Sequence, residues 1–352
     1  MPARTPTSKR GSSLRAIAEA TGLSVPTVSG VLGNRSHLFR AQTRRKVLQA
    51  ASRLGYRPNA SAQAMRSGRF NTLSLLLSNI LTRSTLPIPL LDGILAEAQR
   101  HGNHVILSQL PDEKLTDEGF VPLILKQSAS DGLLINYTDH IPQQMIDLIR
   151  LNKLPAVWLN TKQPRDCVRP DDHNAGARAA AMLADAGHRR IAYMDATWGP
   201  DDMEHAHYSV NDREAGYREE MLRRGLKPVV VRPAQHLGRT ERVDWAIQHL
   251  RQPDRMTAAV CYGTGVAIPV ALAARELGLV IPVDLSLVTF GESVAFEGRH
   301  EITTLIVPQH EMGVHGVRLL LDRIAGRATR SVVLPFEGVH GNTVAPPERR
   351  PA

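Results

Sequence analysis

The sequence predicts an N-terminal all-α helix-turn-helix domain followed by a larger α/β body of doubly wound parallel sheets. Three observations carry that prediction. Residues 13–58 hold three short amphipathic runs, with a turn at Thr21-Gly22 after the first and Gly55 closing the third. Residues 1–69 carry thirteen Lys/Arg against one acid, Glu19, a net +12 in a chain of total +9, which leaves −3 for residues 70–352. From Thr72 onward, short apolar runs alternate with helical patterns, as a parallel sheet covered by helices requires.

In the head, Ser13 is placed to cap a first helix in which Leu14, Ile17 and Ala18 recur at helical spacing. Ser24 caps a second helix from about Val25, because a serine oxygen accepts from a free N–H of the first turn. Pro26 is tolerated there, where its missing N–H is not needed. Periodicity puts Val28 in the core and Val25 outside. A third helix, about Gln42 to Leu54, sets Val47, Leu48, Ala51 and Leu54 on one face. Arg44, Arg45 and Lys46 occupy its first turn, where cations oppose the helix dipole. A nearby phosphate backbone would explain that cost. A folded basic head on a mildly acidic body is the footprint of a nucleic-acid binder. Residues 1–12, rich in Pro, Ser, Thr and basic residues, read as a disordered tail adding non-specific phosphate attraction.

In the body, strands are expected at Thr72–Leu77, Val105–Leu107, Gly132–Ile135, Ala156–Leu159, Ile191–Met194, Val229–Val231, Ala258–Cys261 and Ser286–Phe290. Helices are expected at Leu90–His101, Asp117–Gln127, Ala175–Ala186, Arg213–Arg224, Arg242–Leu250, Gly265–Glu276 and Met312–Ala325. No apolar run reaches the roughly 18 residues of a membrane span, and the basic N-terminus lacks the apolar stretch of a secretory signal. Cys167 and Cys261 stand far apart without metal spacing and read as buried thiols of a reducing compartment; a cytoplasmic protein is expected. No GxSxG, HExxH, Walker A or GxGxxG opens a helix, so an enzyme is not expected. The histidines around His205–His207 and His310–His315 show no acid or Cys at ligand spacing, and neither metal nor cofactor is expected.

Ser24-Val25-Pro26-Thr27-Val28-Ser29-Gly30-Val31-Leu32 resembles the recognition helix of the lactose repressor/galactose repressor (LacI/GalR) family. Thr43-Arg44-Arg45-Lys46-Val47 and Leu54-Gly55-Tyr56-Arg57-Pro58-Asn59 are similar to its third helix and hinge entry, and Gly187-His188-Arg189-Arg190-Ile191-Ala192-Tyr193 and Ala274-Arg275-Glu276-Leu277-Gly278 to blocks of its body. The resemblance implies a helix-turn-helix domain at 13–58, a hinge helix and linker at 59–69, a periplasmic-binding-protein-like domain of two lobes at 70–340 with crossovers near 160–170 and 290–310, and a flexible tail at 341–352.

It further implies a homodimeric transcriptional regulator of the repressor type that binds double-stranded operator DNA of pseudo-palindromic sequence under small-molecule control. The DNA face so implied takes in Ser13, Ser24, Val25, Pro26, Thr27, Ser29, Gly30, Asn34, His37, Arg40, Thr43, Arg44 and Tyr56, with Asn59, Ala62, Met65 and Arg66 from the hinge helix. Met65 falls in the slot where the family wedges an apolar side chain between base pairs. Gly30 replaces the family's long donor, Arg40 its capping residue and Gln63 its hinge Arg. The effector set implied is Arg213, Asp172, Asn174, Thr264 and Glu292, with Asp172 and Asn174 on the lobe facing Arg213. Gly263-Thr264 replaces the family's Asn-Asp, and Leu86-Pro87-Ile88-Pro89 its early aromatic pair. Arg213 with fewer acids near it points to a sugar acid or sugar phosphate rather than a neutral sugar; the alternative is a degenerate, effector-independent cleft.

Overall fold

The computed structural model describes residues 13–33, 36–57, 68–80, 83–111, 129–138, 141–199, 203 and 206–347. It divides into two compact units, Met1–Phe70 and Asn71–Ala352. The expected hinge helix at 59–66 and the expected helix at Asp117–Gln127 lie outside the described residues.

Among the described residues, the head is three α-helices around one small core. In α1 (Leu14–Thr21), Ser13 Oγ accepts from the Ala16 N–H, and Gly22 at φ +65° ends the helix. A Cβ is disfavoured in that left-handed conformation, so glycine makes the turn cheap. In α2 (Val25–Leu32), Ser24 Oγ accepts from the Thr27 N–H with Pro26 in the first turn. A 3-10 turn (Ser36–Leu38) leads to α3 (Ala41–Arg53). Ile17, Ala18, Val28, Val31, Val47, Ala50 and Ala51 form the core. Leu48 and Leu54, expected on the buried face, are 53% and 41% exposed. Leu48 lies one residue off the 47/50/51 stripe, and Leu54 falls beyond the last helical residue.

The body has two lobes. The first lobe's sheet contains β1 (Thr72–Ser78), β2 (His104–Leu110), β3 (Gly132–Ile135), β4 (Ala156–Leu159), β5 (Cys167–Pro170) and β12 (Val332–Leu334). Their order is β12-β5-β4-β3-β1-β2, all parallel. The second lobe's sheet contains β6 (Ile191–Met194), β7 (Val229–Val231), β8 (Ala258–Cys261), β9 (Ser286–Gly291), β10 (Ala295–Glu297), β11 (His300–Ile306) and β13 (Val339–His340). Its path is β10-β11-β9-β8-β6-β7, with β10 and β13 antiparallel to β11. The inner strands are buried runs of Leu, Ile, Val and Ala, as strands covered on both faces require.

Helices α4 (Ile88–Arg100) and α10 (Gln309–Ile324) pack together in the first lobe, α6 (Asp172–Asp185) and α7 (Ser209–Arg223) in the second. Each pair closes on glycine. A Cβ on Gly93 would lie 2.1 Å from the His310 carbonyl oxygen, and one on Gly216 would lie 1.9 Å from that of His173. Among the described residues, the remaining helices are α5 (Gln143–Leu151), α8 (Glu241–Leu250) and α9 (Thr264–Glu276).

The chain crosses between lobes at 170–172, at 306–309 and again at 334–339. The first two meet the expected positions closely; the third was not foreseen, because β12 and β13 are three and two residues long. The flexible tail expected from 341 is corrected up to 347. Thr343 is fully buried and its hydroxyl donates to the Leu287 carbonyl, while the Ala345 N–H donates to Ser286 Oγ. Among the described residues, no helix is long and apolar enough to cross a membrane.

Candidate functional sites in the head and the cleft

The head offers a polar, basic surface built on helix starts. Val25 is 40% exposed at the first position of α2 and Pro26 beside it is exposed. Ser24 Oγ and Thr27 Oγ1 share a 2.8 Å hydrogen bond, so these two hydroxyls order the N-terminus of α2. His37 and Arg40 are exposed, while Ser29, Thr43, Arg44 and Tyr56 are half-buried. Arg40 provides no side-chain cap for α3, and no acid stands in that helix's first turn, so Arg44, Arg45 and Lys46 keep their uncompensated charge against the dipole. Gly30 corrects an expectation. It is buried, and a Cβ there would meet the Phe39 ring at 2.7 Å; it makes room for packing rather than presenting a surface. Asn34, Asn59, Ala62, Met65 and Arg66 lie outside the described residues.

The cleft, about 610 Å³, opens at the C-terminal ends of the strands between the lobes. That is where ligands of open α/β sheets bind. Arg213 anchors one wall from α7. Its Nε donates to Asp172 Oδ1 at 2.7 Å and its Nη1 to the Tyr262 carbonyl at 2.9 Å. The guanidinium carbon lies 5.0 Å from the Tyr262 ring, 4.7 Å from Phe290 and 5.6 Å from Phe336. The contact of Gly176 and Gly216 brings α6 against α7 and so sets Asp172, 1% exposed, beside Arg213.

Two expectations are therefore corrected. Asp172 belongs to the same lobe as Arg213 and already balances its charge, so Arg213 is no free anion receptor. Asn174 is exposed, its N–H held by Asp171 Oδ1 in the first turn of α6, and it does not line the cleft. Thr264, opening α9, and Glu292, after β9, do line it; burial pushes the Glu292 carboxyl above its usual range. Arg242 on α8 also faces the cleft. Among the described residues, its guanidinium donates to the carbonyls of Leu237 and Gly265, at 3.3 Å each.

Sequence reasoning missed the residues that close the cleft. Asn160, at φ +52° after β4, belongs to the first lobe. Its carbonyl lies 2.7 Å from His207 Nε2, whose other ring nitrogen meets Ser209 Oγ at 2.7 Å. Ser209 in turn meets the Tyr262 hydroxyl at 2.9 Å. Lys162 Nζ then reaches across to Asp212 Oδ1 at 3.0 Å. No motif marks these residues, because the lobes meet only in three dimensions. His310, expected to lack acidic partners, lies 3.6 Å from Asp92 and 3.4 Å from Glu311. Among the described residues, no group of three His, Cys, Asp or Glu is placed to hold a metal.

Residues 13–59 match the model for bacterial regulatory proteins of the lacI family, and residues 180–344 match a periplasmic binding protein-like domain. The HTH-type transcriptional regulator IpsA of Corynebacterium glutamicum is 28% identical over 356 residues, spanning 95% of this chain and 97% of the relative. The HTH-type transcriptional repressor CytR of Escherichia coli is 26% identical over 323 residues, spanning 89% and 90%. Among solved structures, the lac repressor dimer bound to operator and the anti-inducer ONPF superposes with a TM-score of 0.74 at 24% identity, over 96% of this chain and 100% of the other. A CelR–cellobiose complex gives 0.60 at 24% identity, over 94% and 98%. At those identities the two structures speak for the fold alone.

Proposed function

From the premise that this chain belongs to the LacI/GalR family of DNA-binding transcriptional regulators, we propose that it is a repressor acting as a homodimer on a pseudo-palindromic operator. The observation that carries the reading is the start of α2. Val25 and Pro26 are exposed there on a helix whose first turn is pinned by Ser24 and Thr27, and the N-terminal residues of a recognition helix are those that meet base edges. Two apolar side chains favour contact with thymine methyls over bidentate hydrogen bonds. Two-fold symmetry of the protein would then be mirrored in the operator. Met65 is proposed as the minor-groove wedge of the hinge, beside Asn59, Ala62 and Arg66.

The cleft is proposed to bind a small effector whose closure of the lobes changes operator affinity by linkage. Arg242, Glu292 and the His207–Ser209–Tyr262 chain support a polyhydroxylated ligand, either neutral or anionic. A second reading, a cleft without an effector, draws support from Arg213, whose guanidinium is taken up by Asp172 and the Tyr262 carbonyl.

Operator selection from random duplex DNA at about 0.15 M salt, where non-specific binding is suppressed, tests the first reading. A pseudo-palindrome with an easily unstacked central step supports it, and tight salt-sensitive binding without any enriched motif overturns it. On the selected operator, Met65→Ala is expected to lower specific affinity more than non-specific affinity. Calorimetry with a sugar, its sugar acid and its phosphate then separates the two readings of the cleft.

A further inference from the structure

A second recess lies on the first lobe, away from the cleft. It measures about 540 Å³ and shares no lining residue with the cleft. It sits at the start of β4, beneath α5 and the β4–β5 loop, whereas the cleft is at the strand's far end. Its floor is apolar: Ile149, Ala156 and Trp158 are 7%, 6% and 7% exposed, and all three line it.

Its rim is cationic. Arg150, Lys153, Arg165 and Arg323 face it against a single acid, Asp166. Asp166 is already engaged, since Thr329 Oγ1 donates to its Oδ1 at 2.5 Å and Arg323 Nε lies 3.5 Å from its Oδ2. Arg150, Lys153 and Arg165 have no carboxylate within 4.0 Å among the described residues. Lys153 also holds φ +50° just after α5, a position where glycine or asparagine is the usual choice. Three exposed cations around one apolar-floored recess repel one another, and an anion seated among them relieves that cost.

We propose that this recess is a binding site for an amphipathic organic anion: an apolar body against the Ile149, Ala156 and Trp158 floor, with a carboxylate or phosphate held by Arg150, Lys153 and Arg165. The volume falls within the range of small-ligand pockets, and a few charged groups around an apolar floor are their ordinary make-up. The exposed part of the Trp158 indole, with Ile149 and Ala156, gives the apolar body van der Waals contact, and guanidinium groups grip carboxylate and phosphate alike. The site is independent of the cleft and of what the cleft binds.

The test is titration calorimetry of the full-length protein with phenylacetate, phenyl phosphate and neutral benzyl alcohol. At least one anion is expected to bind with a Kd below about 100 µM, and the alcohol to bind at least about tenfold more weakly. Whichever anion binds more tightly identifies the headgroup. The double variant R150E/K153E and the single variant R165E, all at exposed side chains, are each expected to weaken anion binding about tenfold or more. R242E, in the cleft, is expected to leave it unchanged. Absence of binding by both anions below about 1 mM, equal binding of the alcohol, wild-type affinity in both charge-reversal variants, or loss of binding in R242E would each overturn the proposal.

Discussion

Arg213 shows how far a single residue is legible in a sequence. Its motif, Arg213-Glu214-Ala215-Gly216-Tyr217, marks it as a cleft residue, and it is one. Its charge was not legible, because the balancing carboxylate comes from Asp172, 41 residues earlier. Arg213→Ala is expected to cost about 3–5 kcal/mol in urea denaturation, since it strands a buried carboxylate. Replacing Asp172 by Leu in the same chain should recover much of the loss. Gly30 carries the same lesson in the head. It reads as a missing DNA contact, yet the Phe39 ring fills the space where a side chain would begin. Gly30→Ala is expected to destabilise the head by about 1–3 kcal/mol through overpacking, read as a lower melting temperature of its transition. Phe39→Leu should offset part of it.

At the scale of elements, periodicity reveals unbroken apolar runs and amphipathic helices. The head helices lie within about a residue of their expected bounds, and so do β1, β3, β4, β6, β8 and β9. Helix α5 and strands β5, β10, β11, β12 and β13 escaped: β5 is four residues ending in Pro170, its neighbour β12 comes more than 160 residues later, and β11, seven residues between β10 and β9, mixes His, Glu and Thr with its apolar positions. Such strands exist because a sheet edge is there to receive them, and no local pattern records that. The glycines that couple α4 to α10 and α6 to α7 were equally silent, since small residues inside a helix look the same whether exposed or in contact. Gly216→Val is expected to force α7 away from α6, with a loss of about 3 kcal/mol in unfolding free energy. Gly265→Ala, whose Cβ would meet nothing closer than 3.5 Å, is the control and should change stability little.

For the whole molecule, acid sensitivity is set partly by Glu97. Arg318 Nε donates to its Oε1 at 2.7 Å, linking α4 to α10, and holds its carboxyl down at about 2 from an ordinary 4.5. A depressed carboxylate stabilises the fold fully above its ordinary value and loses that contribution as pH falls toward the folded one. Stability of the first lobe should therefore decline between pH 4.5 and 2. Glu97→Gln is expected to lower the unfolding midpoint at neutral pH and flatten that acid limb, as followed by circular dichroism. The three crossings between lobes carry a further consequence, for the order in which the protein is made. Chains emerge and fold from the N-terminus, yet the first lobe has to wait for α10 and β12, supplied by residues 309–334. The second lobe, although begun later, still lacks β13 and the Thr343 and Ala345 bonds until residues 339–345 are out. Neither lobe can be finished before the other is nearly complete. A chain halted near residue 300 would thus present two half-built sheets with open apolar edges.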